Sequence, residues 1–138
     1  MPDHEYAAVI PRWIMLALTG QQLVVNGDLG IRRDFAFVDD VVRVISMAVN
    51  QGIDSPVPVN LAFGRAVTLA DLLEKLRYQI GPIDFSIGPA RPGDINSSEN
   101  SPQRLYELFP GIEPTPFDVG LNQTISWLSS YFGSEAGR

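Results

Sequence analysis

The amino-acid sequence predicts an α/β fold, rich in helix and with few short strands. Three observations predict it. Apolar residues recur at helical spacing in several stretches opened by Pro, Thr or Asp and closed by Gly. Between them lie short extended runs bounded by Gly, Asp and Pro. The 138 residues are 45% hydrophobic and 19% charged, a composition that builds one core rather than a disordered chain.

The first helix is expected from Pro11 to Thr19, with Pro11 at the first helical position, Gly20 beyond the end, and Ile10, Trp13, Ile14, Ala17 and Leu18 on its apolar face. Leu23 to Asn26 reads as a short strand. The turn Gly27-Asp28-Leu29-Gly30 follows, then a second extended run over Phe35 to Val38. Asp39 is placed to cap a second helix whose Val41, Val42, Ile45, Ala48 and Val49 form one stripe, ending before Gly52. Val57 to Leu61 reads as a strand that Pro58 makes either an edge strand or irregular at its start. Thr68 and Asp71 have the spacing of a capping box ahead of a helix carrying Leu69, Leu72, Leu73, Leu76 and Ile80, stopped by Gly81-Pro82. Ile83 to Ile87 alternates as a strand, and Gly88 to Asn100 is a polar, turn-rich stretch. A short helix after Ser101-Pro102 and a longer one after Thr115-Pro116, with Phe117, Leu121, Ile125 and Leu128 on one face, complete a chain with no second domain expected.

The residue inventory excludes several chemistries. With no Cys there is no disulfide, thiolate nucleophile or Cys-based zinc site, and a lone His4 gives neither a triad nor a His cluster. A net charge of −6 repels phosphate backbones, so nucleic acid is not an expected partner. No run reaches the ~18 apolar residues of a membrane span and the start does not resemble a signal peptide, so a cytoplasmic location without membrane contact is expected. Of ten basic residues only Lys75 is Lys; genome composition explains that bias, and so does a need for planar anion binding.

The search for sites starts with the glycines. Gly27-Asp28-Leu29-Gly30 follows a strand, but Arg33 stands where a dinucleotide fingerprint has its third glycine, and an extended run follows instead of a helix. No Tyr-x-x-x-Lys pair exists, because position 71, four before Lys75, is Asp. Two Arg-centred turns remain, Arg32-Arg33-Asp34 and Arg91-Pro92-Gly93-Asp94. Either each Arg offers its planar fork to a phosphate or diphosphate, or it is an exposed side chain bridged to the neighbouring Asp. Asp39-Asp40 serves as a carboxylate pair or as the acidic first turn of a helix. Asn60 reaches a ligand or ends a strand, and Trp13 and Trp127 are read as core.

In order, these pieces resemble the C-terminal part of the extended short-chain dehydrogenases, the nucleotide-sugar epimerases and 4,6-dehydratases. Ala7 to Arg12 is similar to the helix start after that family's Tyr-Gly-Pro turn. Val25 to Asp40 resembles its Gly-Asp-Gly-x-x-x-Arg-Asp-Phe-x-x-Val-x-Asp signature, with Leu29 in place of a glycine and Asn26 in place of an aromatic. Val59 to Gly64 resembles its Tyr-Asn-hydrophobic-Gly strand, Arg91 to Asp94 its Arg-Pro-Gly-Asp loop, and Pro114 to Trp127 its closing helix.

The resemblance implies the C-terminal portion of an extended Rossmann-type fold, with residues 1–138 forming a single substrate-binding portion and the N-terminal Rossmann half absent. It implies a UDP- or dTDP-hexose as ligand, with Arg33 and Arg91 holding the diphosphate or ribose, Asp94 assisting, and Asn60 and Asn26 completing the substrate contacts. It implies no catalytic and no cofactor-binding residue in this chain. NAD is expected only for the full-length enzyme, and the expected partner is the missing Rossmann half or a second copy. The alternatives are a non-catalytic nucleotide-sugar-binding or regulatory module, and a nonfunctional remnant.

Overall fold

The computed structural model describes residues 8–90, 97–98 and 100–135, with ten elements. Helix α1 is Val9–Leu18, followed by strands β1 (Leu23–Asn26) and β2 (Arg32–Asp34), helix α2 (Val38–Gln51) and strand β3 (Ala66–Thr68). Helix α3 (Leu69–Ile80), strands β4 (Phe85–Gly88) and β5 (Ser97–Ser98), and helices α4 (Gln103–Leu108) and α5 (Phe117–Glu135) complete the order. The α/β, helix-rich architecture is the one expected. Its residues fall into two compact units, each assembled from separated stretches of chain.

Of the described residues, the first unit comprises 8–31, 68–90 and 118–135. Its centre is a parallel pair, β1 with β4, in the register Leu23 to Phe85 through Asn26 to Gly88. Helix α1 packs on β1 and on α3. Its buried side chains include Trp13 and Ile14 from α1, Leu23 and Val25 from β1, Leu72, Leu73 and Leu76 from α3, and Leu121, Ile125 and Leu128 from α5. The expected capping box forms: Asp71 N donates to Thr68 Oγ1 at 3.0 Å, and Thr68 N donates to Asp71 Oδ2 at 3.3 Å. Arg77 donates to Ile83 O at 3.0 Å and lies over the Phe85 ring at 5.2 Å, joining the end of α3 to the start of β4. The strand begins at Phe85 rather than at Ile83, which is buried just ahead of it.

Of the described residues, the second unit comprises 32–67, 97–98 and 100–117. Its sheet has the order β3-β2-β5, with β2 and β5 parallel and Arg33 opposite Ser98. Its core gathers Val44 from α2, Phe63, Leu105 and Phe109 from α4 and its cap, and Ile112.

Several expectations are corrected here. Helix α1 starts two residues before Pro11, which still lies in the first turn, where its missing N–H is not needed. The extended run falls on Arg32–Asp34 and not Phe35–Val38: the Asp34 carboxylate turns to bind the Gly64 amide, Phe35 packs on Phe117 at 5.8 Å, and Val38 already begins α2. The α2 cap is Phe37, without a side-chain bond, and Asp39 and Asp40 occupy the first turn. Val57–Leu61 forms no strand, since Pro56 and Pro58 withhold two donors from any ladder, and β3 forms later at Ala66–Thr68. The apolar stripe expected on α2 is split: Ala48 packs on the core while Val42, Ile45 and Val49 are exposed. Trp127 is 63% exposed and stacks on Tyr131 at 5.8 Å, whereas Trp13 is core as expected.

Candidate functional site

Arg33 lies in β2 with its neighbours fixed on both sides of the strand. Arg32 donates to Ala66 O at 3.3 Å, and Ser98 pairs with Arg33 itself. The Arg33 guanidinium is half-buried and donates from Nη1 to Arg32 O at 3.0 Å; among the described residues no carboxylate forms an ion pair with it. The bridge to the neighbouring Asp, one of the two readings of this turn, does not form. A guanidinium carries five N–H donors in a planar fork, and the described residues engage only one side of it.

Asp34 is committed elsewhere. Its Oδ2 accepts from Gly64 N at 3.0 Å, and its Oδ1 is buried with no partner among the described residues. Gly64 has φ +69°, and a Cβ there would lie 3.1 Å from Pro102 Cγ, so the position requires glycine for its backbone and for the proline packed against it. Asp34 thereby ties the strand of Arg33 to the segment Asn60–Gly64, in which Ala62 and Phe63 are buried and Asn60 is exposed in coil. This strut was missed in the sequence because an Asp beside an Arg points first to a local ion pair.

Asn26 belongs to the first unit, at the end of β1. It lies opposite Gly88, where an added Cβ would stand 3.2 Å from Asn26 Oδ1 and 3.0 Å from Val24 Cγ1. Gly88 therefore makes room for the Asn26 side chain. Arg91 and Asp94 lie outside the described residues.

The Gly27–Gly30 turn does not fit a dinucleotide. Gly27 N donates to Gly88 O at 3.1 Å, Gly30 N to Asp28 Oδ1 at 2.6 Å and Ile31 N to Asp28 O at 3.2 Å, so these amides are not aimed at a phosphate. Leu29 O and Ile31 O accept from Ala70 N and Leu69 N, which pins the turn to the start of α3. Asp39-Asp40 is not an acid/base pair. Asp40 is 1% exposed and accepts from Thr115 N at 2.9 Å, from Thr115 Oγ1 at 2.8 Å and from Arg43. Among the described residues no group of acidic, His or Cys side chains could hold a metal, and no helix is long and apolar enough to cross a membrane.

Comparison with known proteins adds an independent finding. Residues 1–62 match the model of the NAD dependent epimerase/dehydratase family. The chain is similar to UDP-glucuronic acid decarboxylase 1 of Xenopus tropicalis, 31% identical over 127 residues that cover 86% of this chain and 28% of that protein. In structure it is similar to a UDP-N-acetylglucosamine 4-epimerase of Methanobrevibacter ruminantium in complex with UDP-N-acetylmuramic acid, with TM-score 0.83 and 28% identity over 95% of this chain and 42% of that one. It is equally similar to a UDP-glucose 4-epimerase of Thermotoga maritima with UDP-glucose, with TM-score 0.83 and 27% identity over 96% of this chain and 42% of that one. The chain thus spans less than half the length of these relatives.

Proposed function

We propose that this chain, which belongs to the extended short-chain dehydrogenases of the NAD-dependent epimerase/dehydratase family, is the nucleotide-sugar-binding portion of such an enzyme, acting on a UDP- or dTDP-hexose. The observation that carries this reading is Arg33: a half-buried guanidinium on a strand, bonded only to a backbone carbonyl among the described residues and followed by an Asp engaged with Gly64. Arg33 and Arg91 hold the diphosphate or ribose, Asp94 assists Arg91, and Asn60 and Asn26 contact the remainder of the ligand. A planar fork suits a diphosphate better than a point charge does. The Gly27–Gly30 turn offers NAD no cradle, so the dinucleotide is assigned to the part of the family fold that the relatives have beyond this match, and the hydride chemistry with it.

The test is calorimetric titration with UDP and with dTDP. Each charge-assisted hydrogen bond is worth roughly 1.5–3 kcal/mol, so Arg33→Ala should weaken binding about ten- to a hundred-fold, with Arg33→Lys recovering only part. Arg138→Ala is the control. If the native chain binds and Arg33→Ala binds as tightly as the control, the anion role of Arg33 is wrong. If the native chain binds neither nucleotide, the proposal fails for the chain by itself.

A further inference from the structure

Asp34 and Asp40 lie in the same unit and are served very differently. The two oxygens of Asp40 accept from the Thr115 amide, the Thr115 hydroxyl and Arg43. Asp34 accepts from Gly64 N at 3.0 Å through Oδ2, and its Oδ1 is buried with no partner among the described residues. A buried carboxylate oxygen without a donor costs stability rather than adding it. Such a departure from full satisfaction points to a role other than holding the fold together.

The bond to Gly64 joins the segments that carry the residues assigned to the ligand. Asp34 follows Arg33 at the end of β2, the central strand of the β3-β2-β5 sheet. Gly64 lies between Asn60 and β3, and at φ +69° it turns its N–H towards a side chain instead of a backbone carbonyl of the ladder. Gly64 also packs on Pro102, the residue that opens α4 after β5, and β5 sets Ser98 opposite Arg33. The strand of Arg33, the segment of Asn60 and the chain beyond β5 therefore converge on one hydrogen bond. Successive side chains of a strand leave from opposite faces, so Asp34 acts on Arg33 through the backbone of β2 and not by pairing with its guanidinium.

We propose that Asp34 is a positioning residue for nucleotide-diphosphate binding: through Gly64 it sets where Arg33 lies relative to Asn60, and it touches no ligand itself. The role rests on the nucleotide-sugar reading above. It also fixes the sign of the effect. Asp34 is an acid next to a site for an anion, so by charge alone its removal strengthens the binding of UDP. As a positioning residue, its removal weakens that binding.

Calorimetric titration with UDP tests this, each variant being held well below its unfolding midpoint so that lost stability alone leaves the affinity unchanged. Asp34→Ala removes the acceptor and should weaken UDP about tenfold, within the range for a residue that acts on a ligand through another. Asp34→Asn removes the charge but keeps an acceptor for the Gly64 amide, so it should bind within about twofold of the native chain. Asp54→Ala, which removes an exposed acid from coil, is the charge-matched control and should bind like the native chain. In a chain that already carries Arg33→Ala, adding Asp34→Ala should weaken UDP by less than about threefold, because the residue it positions is gone. If circular dichroism shows Asp34→Ala unfolded, Asp34→Glu takes its place: it keeps the charge, displaces the carboxylate by one methylene and should also weaken UDP about tenfold. A native chain that binds UDP and is weakened by Arg33→Ala, but not by the loss of Asp34, overturns the positioning role and leaves the nucleotide-sugar reading standing. Asp34→Asn as weak as Asp34→Ala, or an undiminished loss in the Arg33→Ala background, overturns the role as well. A native chain that binds no UDP overturns both.

Discussion

Asp40 and Thr115, 75 residues apart in the chain, are joined by two hydrogen bonds: the Thr115 amide donates to Oδ2 at 2.9 Å and the Thr115 hydroxyl to Oδ1 at 2.8 Å. Arg43, one turn further along α2, donates to the same Oδ1 and to Glu113 O. The buried carboxylate is therefore both neutralised and bonded, the condition under which a buried charge is tolerated. Its work is to fasten the first turn of α2 to the segment that leads into α5.

Asp40→Ala should destabilise the fold by about 2–3 kcal/mol, since it removes the charge-assisted bonds of a buried carboxylate and leaves the Thr115 amide without its acceptor, while the half-exposed Arg43 turns to water. Thr115→Val keeps the amide bond and removes only the hydroxyl, so its cost should be about 1 kcal/mol. Urea unfolding of both variants measures the difference. Equal losses would show that the amide bond and the ion pair contribute nothing beyond the hydroxyl.

Gly88→Ala should cost about 1–3 kcal/mol by forcing its new methyl against Val24 and Asn26. Val24→Ala removes the nearer obstacle, which stands 3.0 Å from the built Cβ position. In a double-mutant cycle the two changes should couple favourably, with the double variant more stable than the sum of the singles. Strict additivity by thermal unfolding would place the strain of Gly88→Ala somewhere other than beneath Val24.

Titration of the chain with NAD should give no heat of binding at cofactor concentrations of about 1 mM. The amides of Gly27, Gly30 and Ile31 already donate inside the chain, and the turn leads into a strand rather than into the helix N-terminus that a diphosphate needs. Saturable binding in the micromolar range would contradict this account of the turn.

What was legible in the sequence was what is local. Thr68 and Asp71 are three residues apart and form their box; Leu23–Asn26 is a strand within its predicted limits; α2 ends before Gly52. The failures share a cause, which is that tertiary partners decided them. Val42, Ile45 and Val49 have the period of a buried face, yet the core touches the helix from the side of Asp40 and Val44, where three donors satisfy the Asp40 carboxylate and make its burial tolerable. Arg33 and Asn60 were legible as candidates from residue type and motif. The strut between their segments, Asp34 to Gly64, was not, since it spans 30 residues and one end is a backbone amide that leaves no mark in a sequence.

The hydrogen bond from Leu69 N to Ile31 O, at 3.0 Å, has a consequence for how this chain can vary. Ile31 is the last residue before the chain leaves the first unit and Leu69 the second after it returns, so the bond closes the neck of an excursion that runs from Arg32 to Val67. With the neck closed inside the first unit, lengthening the excursion adds little entropy cost, about 0.6 kcal/mol for each doubling. Insertions and deletions in the exposed stretch around Asp54 to Pro58 should accumulate among homologues without shifting the β1 and β4 register, whereas the residues flanking the neck should hold their length.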